Sequence, residues 1–203
     1  MERRAGHCPA ERVRLQVLIT KGTEASDVVG NGLIPAMTVI GEQFQRGEIY
    51  IPEMMIAANT MQKVLQQFKD QLAGRQEKKF GTVVIGTVKG DLHDIGKNLV
   101  AMMLEGQGFS VVDLGVSVSA EKFVAAVVEK MPDIIALSAL LTTTMIEMKH
   151  AVSALEEAGL RNSIKIIVGG APVTQAFADQ IGADGYAYDS PGAAQICKAL
   201  VSA

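Results

Sequence analysis

Tryptophan is absent from this 203-residue chain, cysteine occurs twice, and aromatic residues make up only 4% of it. Cys8 and Cys197 are far apart and outside any CxxC spacing, so neither a disulfide framework nor a thiolate-built metal cluster is suggested. No apolar run approaches the roughly 18 residues that a membrane span needs. The charged start, MERRAGHCPAERVR, is not followed by the apolar stretch of a signal peptide. An excess of one charge is missing as well: the net charge is -3, with 20% of residues charged, which is not the profile of a surface that coats nucleic acid. These absences lead to the expectation of a cytoplasmic protein in a reducing compartment, with no nucleic acid and no membrane as partner.

What is present is a core. The chain is 48% hydrophobic, and its length has room for one medium domain or two small ones. From about Glu11 to Ala73 the apolar residues recur at helical spacing, in Leu33, Ile34, Met37, Ile40 and Phe44, and again in Met54, Met55, Ala58, Met61, Val64, Leu65 and Phe68. This half reads as a small helix bundle. Gly47 suits the end of its first clear helix and Pro52 the first turn of the next. A helix before Lys21 is the least regular of the set.

Gly74-Arg75-Gln76-Glu77-Lys78-Lys79 is polar and led by glycine, and beyond it the pattern changes to short β-branched runs alternating with helical stretches. Strands are expected at 81–88, 109–114, 133–139, 163–169 and 184–187, and helices near 96–107, 119–131, 143–158, 173–181 and 190–201. Such alternation predicts an α/β fold, a five-stranded parallel doubly wound sheet of the Rossmann or flavodoxin-like kind. In the common order 2-1-3-4-5 the topological switch lies between the first and third strands, so a ligand is expected beyond their carboxyl ends. The loops there are 89–95, with Gly90, Asp91, Leu92, His93, Asp94 and Ile95, and 139–144, with Leu140, Thr142, Thr143 and Thr144. A third loop, Gly169-Gly170-Ala171, ends the fourth strand at the same edge and lets a large ligand approach the backbone.

The run from Gly90 to Asn98 invites comparison with a phosphate-binding P-loop and fails it, having one residue too many between its glycines and no hydroxyl residue after Lys97. A phosphorylation receiver wants an aspartate at the end of the third strand, where Ser138 stands. What remains is one imidazole in an open crevice, with the carboxylate of Asp91 two residues earlier able to orient it toward a metal. A zinc site built by protein takes three or four ligands, and His7 and His150 are not convincing second ligands. A metal already held by a macrocycle needs only an axial ligand. From these residues alone, His93 reads equally well as a loop histidine hydrogen-bonded for local order.

The chain also resembles a cobalamin-binding fingerprint in which DxHxxG is followed, at set separations, by SxL and then by GG. Here the three parts are Asp91 to Gly96, Ser138-Ala139-Leu140 and Gly169-Gly170, and both separations match the fingerprint. The helical half, with Gly41-Glu42-Gln43-Phe44 and Gly47 to Pro52, looks like the cap of methyl-transferring corrinoid proteins. The resemblance therefore implies a helical cap over 1–73, a linker over 74–80 that could act as a hinge, and a cobalamin-binding α/β domain over 81–203. It implies cobalamin or a related corrinoid as cofactor, with His93 replacing the benzimidazole beneath cobalt and the displaced nucleotide tail threading between the Ser138 and Gly169-Gly170 loops. Asp91 would hold the ring N–H of His93 and Thr144 would hydrogen-bond Asp91 to complete a relay; an ordinary helix N-cap is the alternative for Thr144. Phe44 and Ile51 match positions that cover the upper face of cobalt, with ordinary core packing as the alternative. Met37, Met54 and Met55 read first as core filler.

By the same resemblance the protein is a corrinoid methyl carrier of anaerobic one-carbon metabolism. It would accept a methyl group on cobalt from a substrate methyltransferase and present it to a second methyltransferase that acts on tetrahydrofolate or a thiol, and a reductive activating protein would serve it. Aryl methyl ethers, methylamines, methanol and betaines all stay open as donors. Two rivals are a cobalamin-dependent sensor or storage module and the small subunit of a radical mutase. The first usually carries a DNA-binding unit and the second generally lacks the helical half.

Overall fold

The computed structural model describes residues 28–67 and 80–202. The helix expected before Lys21, Phe68 and nearly all of the 74–80 linker lie outside these residues. A π-helical turn, Val29–Leu33, runs into α1 (Ile34–Gln45), and α2 (Ile51–Gln67) follows. Between them the chain turns as the sequence predicts. Gly47 has φ +70°, its N–H donates to the Phe44 carbonyl, and the Glu48 N–H donates to that of Gln43, which is the paired closure of a Schellman motif.

The remainder alternates strand and helix: β1 (Thr82–Thr87), α3 (Ile95–Gly106), β2 (Ser110–Asp113), α4 (Ala120–Lys130), β3 (Ile134–Ser138), α5 (Met145–Glu157), β4 (Lys165–Gly169), α6 (Gln175–Gln180), β5 (Gly185–Ala187) and α7 (Ser190–Ser202). The five strands are parallel in the order β2-β1-β3-β4-β5, so the expected fold and its switch between β1 and β3 are borne out. The strands read as continuous β-branched runs because both faces are buried. Val84, Ile135, Leu137, Ile166 and Val168 face one cluster with Phe123, Met148 and Leu155 from α4 and α5. Val83, Ile85, Ile134, Ala136 and Ile167 face the other, with Leu99, Met103 and Cys197 from α3 and α7.

The helical half joins that second cluster. Met37 of α1 and Met54, Ala58 and Met61 of α2 are buried in it, and Gly41 sits so close to α3 and α7 that an added Cβ would lie 2.9 Å from Met103 Cε. Met37 and Met54 are thus core residues, whereas Met55 is exposed. No helix among the described residues is long and apolar enough to cross a membrane.

Helix α4 ends on Met131, whose backbone is left-handed, with φ 45°, and whose side chain is exposed. An L-residue pays roughly 1–2 kcal/mol for that conformation and glycine does not. Met131→Gly is therefore expected to stabilise the protein by about 1 kcal/mol, seen as a melting point about 2–4 °C higher. A lower melting point would mean that the thioether side chain makes contacts that its exposure does not suggest.

Candidate functional site

At the carboxyl edge of the sheet the register aligns Thr87, Ser138, Gly169 and Ala187 in one row across β1, β3, β4 and β5. All four side chains are small. Ser138, Gly169 and Ala187 line a crevice of about 690 Å³ that runs from the loops down between the sheet and helices α3 and α7, past Ile85, Ala136 and Ile167. Gly170 makes the close approach of loop to strand possible. It has φ +131°, and a Cβ there would lie 1.9 Å from the Ala139 carbonyl oxygen.

The loop after β1 is tied down from three sides. The Asp91 N–H closes a turn onto the Val88 carbonyl, with Gly90 at φ +78° in its third position, where only glycine is unstrained. The Gly90 N–H donates to Ser117 Oγ at 3.0 Å, and the buried Thr87 hydroxyl donates to the His93 carbonyl at 3.0 Å. Lys97, one helical turn further on, is buried and donates to Asn98 Oδ1 and to the Asp113 carboxylate at the end of β2, anchoring the start of α3.

Inside this frame Asp91 is fully buried. Its Oδ1 accepts from His93 Nδ1 at 2.7 Å and from the His93 N–H at 3.1 Å. Its Oδ2 accepts from the Leu140 N–H at 2.7 Å, the Leu141 N–H at 3.3 Å and the Thr144 hydroxyl at 2.7 Å. Burial pushes the carboxyl up, but the donors from Leu140, Thr144 and His93 outweigh it and hold it well below the usual carboxylate range. An ionised Asp91 places the ring proton of His93 on Nδ1, which leaves the Nε2 lone pair for a ligand. The His93 side chain is half exposed, at 51%, so that lone pair is reachable.

Of the two readings of Thr144, the hydroxyl goes to Asp91 rather than to a backbone N–H. The residue occupies the N-cap position of α5 but makes no side-chain cap. Thr144→Val, which keeps the shape and removes the donor, is expected to cost about 1–2 kcal/mol in urea unfolding. An unchanged midpoint would show that the two N–H donors suffice for Oδ2.

The other sequence-selected residues divide. Leu92, His93, Asp94, Ile95 and Gly96 line the crevice on one side. Ser138, Leu140, Gly169, Gly170 and Ala171 line it on the other, and Phe44 reaches it from α1. Thr142 is exposed and Ile51, 41% exposed at the start of α2, stands outside the lining. Sequence reasoning assigned nothing to Lys97, Thr87, Ser117 or the run Ala187-Tyr188-Asp189-Ser190 that joins β5 to α7, although Lys97 and that run line the crevice. Writing out the last residue of each expected strand would have found Ala187.

Among the described residues no three His, Cys, Asp or Glu side chains converge to hold a metal ion. One oriented imidazole beside a long, mostly apolar crevice suits a metal that arrives inside a macrocycle with a tail, and the cradle of small residues leaves space for it.

Comparison with known proteins points the same way. Residues 81–194 and residues 11–69 each match a family described as a B12 binding domain. Trimethylamine corrinoid protein 2 of Methanosarcina acetivorans is 40% identical over 185 residues, covering 90% of this chain and 85% of that protein. Trimethylamine corrinoid protein 1 of Methanosarcina mazei is 44% identical over 170 residues, covering 83% and 79%. Among solved structures, a chain of the methanol:cobalamin methyltransferase complex of Methanosarcina barkeri aligns with TM-score 0.83 at 35% identity, over 93% of this chain and 72% of that one. A cobalamin-binding protein of Desulfitobacterium hafniense aligns with TM-score 0.80 at 33% identity, over 94% and 91%.

Proposed function

The chain belongs to the B12-binding domain family of corrinoid proteins, and from that premise we propose that it carries a methyl group between two methyltransferases, with His93 as the axial ligand. When bound, the corrinoid supplies a cobalt centre that carries the methyl group; the protein's part is to hold, orient and shield it. The observation that supports the reading is the pair Asp91–His93 at 2.7 Å, in which a buried carboxylate with five donors presents Nε2 at the mouth of the crevice.

Each residue then has a task. His93 Nε2 would hold the cobalt. Asp91 keeps the proton on Nδ1, and Thr144, Leu140 and Leu141 keep Asp91 ionised and still. The row Ser138 and Gly169 with Gly170 would admit the nucleotide tail, and Phe44 and Ile51 of the helical half would screen the bound group. The helical half, assigned to 1–73, acts as cap; the linker 74–80 acts as hinge; and 81–203 forms the binding domain. A cap that swings is needed because two enzymes must reach one cobalt face.

One partner is a substrate-specific methyltransferase. Relatives named for trimethylamine and dimethylamine, and a solved relative in complex with a methanol methyltransferase, support methylamines or methanol as the donor class. The second partner would be a methyltransferase acting on tetrahydrofolate or a thiol, and a reductive activating protein would serve the carrier. The test is to mix the purified chain with hydroxocobalamin and separate the mixture by gel filtration. Corrin absorbance co-eluting with the protein is expected; corrin that elutes alone would remove the reading.

A further inference from the structure

Ser190, the first residue of α7, lines the crevice, yet its Oγ is buried and has no hydrogen-bond partner among the described residues. The residue is only 6% exposed. A hydroxyl cut off from both water and protein is costly, so the state that satisfies it includes another occupant of the crevice.

The surroundings narrow the occupant. Asp189 caps the helix, its Oδ1 accepting from the Gly192 N–H at 2.7 Å and its carbonyl from the Ala193 N–H at 3.0 Å. Pro191 adds no N–H. The positive end of α7 is therefore already met by a carboxylate, and a phosphate brought to Ser190 would face that negative charge. The sheet and α7 also contribute Ala136, Ile167, Ala187 and Ala193 to the lining, all apolar. This is a place for an uncharged, mostly apolar group with one atom able to hydrogen-bond.

We propose that the Ser190 hydroxyl recognises the nucleoside end of the corrinoid's tail through a hydrogen bond to an uncharged atom, a base nitrogen or a ribose hydroxyl. The inference rests on the corrinoid reading above and adds a residue that distinguishes tail from ring. Ser190 sits on α7, across the crevice from the His93 loop, so it acts on which corrinoid is retained rather than on the cobalt ligand.

The test is a set of absorbance titrations of the full chain and Ser190→Ala with three corrinoids. Cobalamin has the whole nucleotide, a phenolyl cobamide keeps the ribosyl phosphate but lacks a base nitrogen, and cobinamide has no nucleotide. Ser190→Ala is expected to bind cobalamin about 3- to 10-fold more weakly, the worth of one hydrogen bond, and to bind cobinamide as the wild type does. The same loss with the phenolyl cobamide places the bond on the ribose; no loss places it on the base nitrogen. Because the ligand-free protein leaves this hydroxyl unsatisfied, the variant without corrinoid should melt at the wild-type temperature or above. Equal weakening for cobalamin and cobinamide, or none for cobalamin, overturns the proposal while leaving the corrinoid reading intact. A wild type that binds none of the three overturns both.

Discussion

His93→Ala is expected to lose histidine ligation of cobalt outright and to weaken corrinoid binding by more than about 100-fold, since even loss of the group that orients a metal-bound histidine commonly costs 10- to 100-fold. The cobalt(II) state gives the sharpest readout. One nitrogen on cobalt splits its resonance lines into triplets, and incorporating 15N-histidine turns them into doublets; the variant should show no doublets, because any nitrogen then on cobalt is the corrinoid's own unlabelled base. The ligand-free variant should unfold close to the wild type. The ring is half exposed, and its loss leaves Asp91 with the N–H groups of residue 93, Leu140 and Leu141 and the Thr144 hydroxyl.

That separation of stability from binding is what distinguishes an axial ligand from a loop histidine kept for local order. A structural histidine would cost stability on removal and leave corrinoid affinity nearly unchanged. Free imidazole adds a further discrimination: 15N-imidazole supplied to His93→Ala should restore the doublets, because the crevice mouth that exposes His93 also admits a small ring. A wild-type resonance spectrum without histidine splitting would sink the assignment whatever the affinities are.

The fold was legible because its signal is local and repeated. Short β-branched runs separated by helix-length stretches leave few topologies, and every predicted strand was found close to its expected ends. Asp91, His93, Ser138, Gly169 and Gly170 were legible because their spacing in sequence encodes where three loops meet at one sheet edge. Ser190 and Lys97 were not. A serine before Pro191-Gly192 reads as an ordinary helix start, and only the packed structure shows its hydroxyl without a partner. A lysine between Gly96 and Asn98 reads as solvated until Asp113, 16 residues on, is seen to receive it. The Thr144 reading turned on a hydrogen bond across 53 residues, which no local pattern can contain.

Gly170→Ala is expected to have the largest effect on the fold. The residue sits at φ +131°, a conformation essentially reserved for glycine, and the new Cβ would lie 1.9 Å from the Ala139 oxygen, 2.9 Å from its carbonyl carbon and 3.3 Å from its nitrogen. All three are backbone atoms, so no side chain can swing aside. Relief requires moving the chain just after β3, where the Ala139 N–H pairs with the Gly169 carbonyl and the next residue's N–H holds Asp91 Oδ2. The strain therefore reaches His93 through Ala139, Leu140 and Asp91. A loss of about 4 kcal/mol or more is expected, lowering the melting point by about 10 °C, together with weaker histidine ligation in whatever protein folds. Gly96→Ala is the control: nothing lies within 4 Å of its Cβ position, and alanine is the better helix former, so it should be neutral or stabilising by up to about 1 kcal/mol. Equal melting points for the two variants would mean that the β3 and β4 loops do not meet as closely as the site requires.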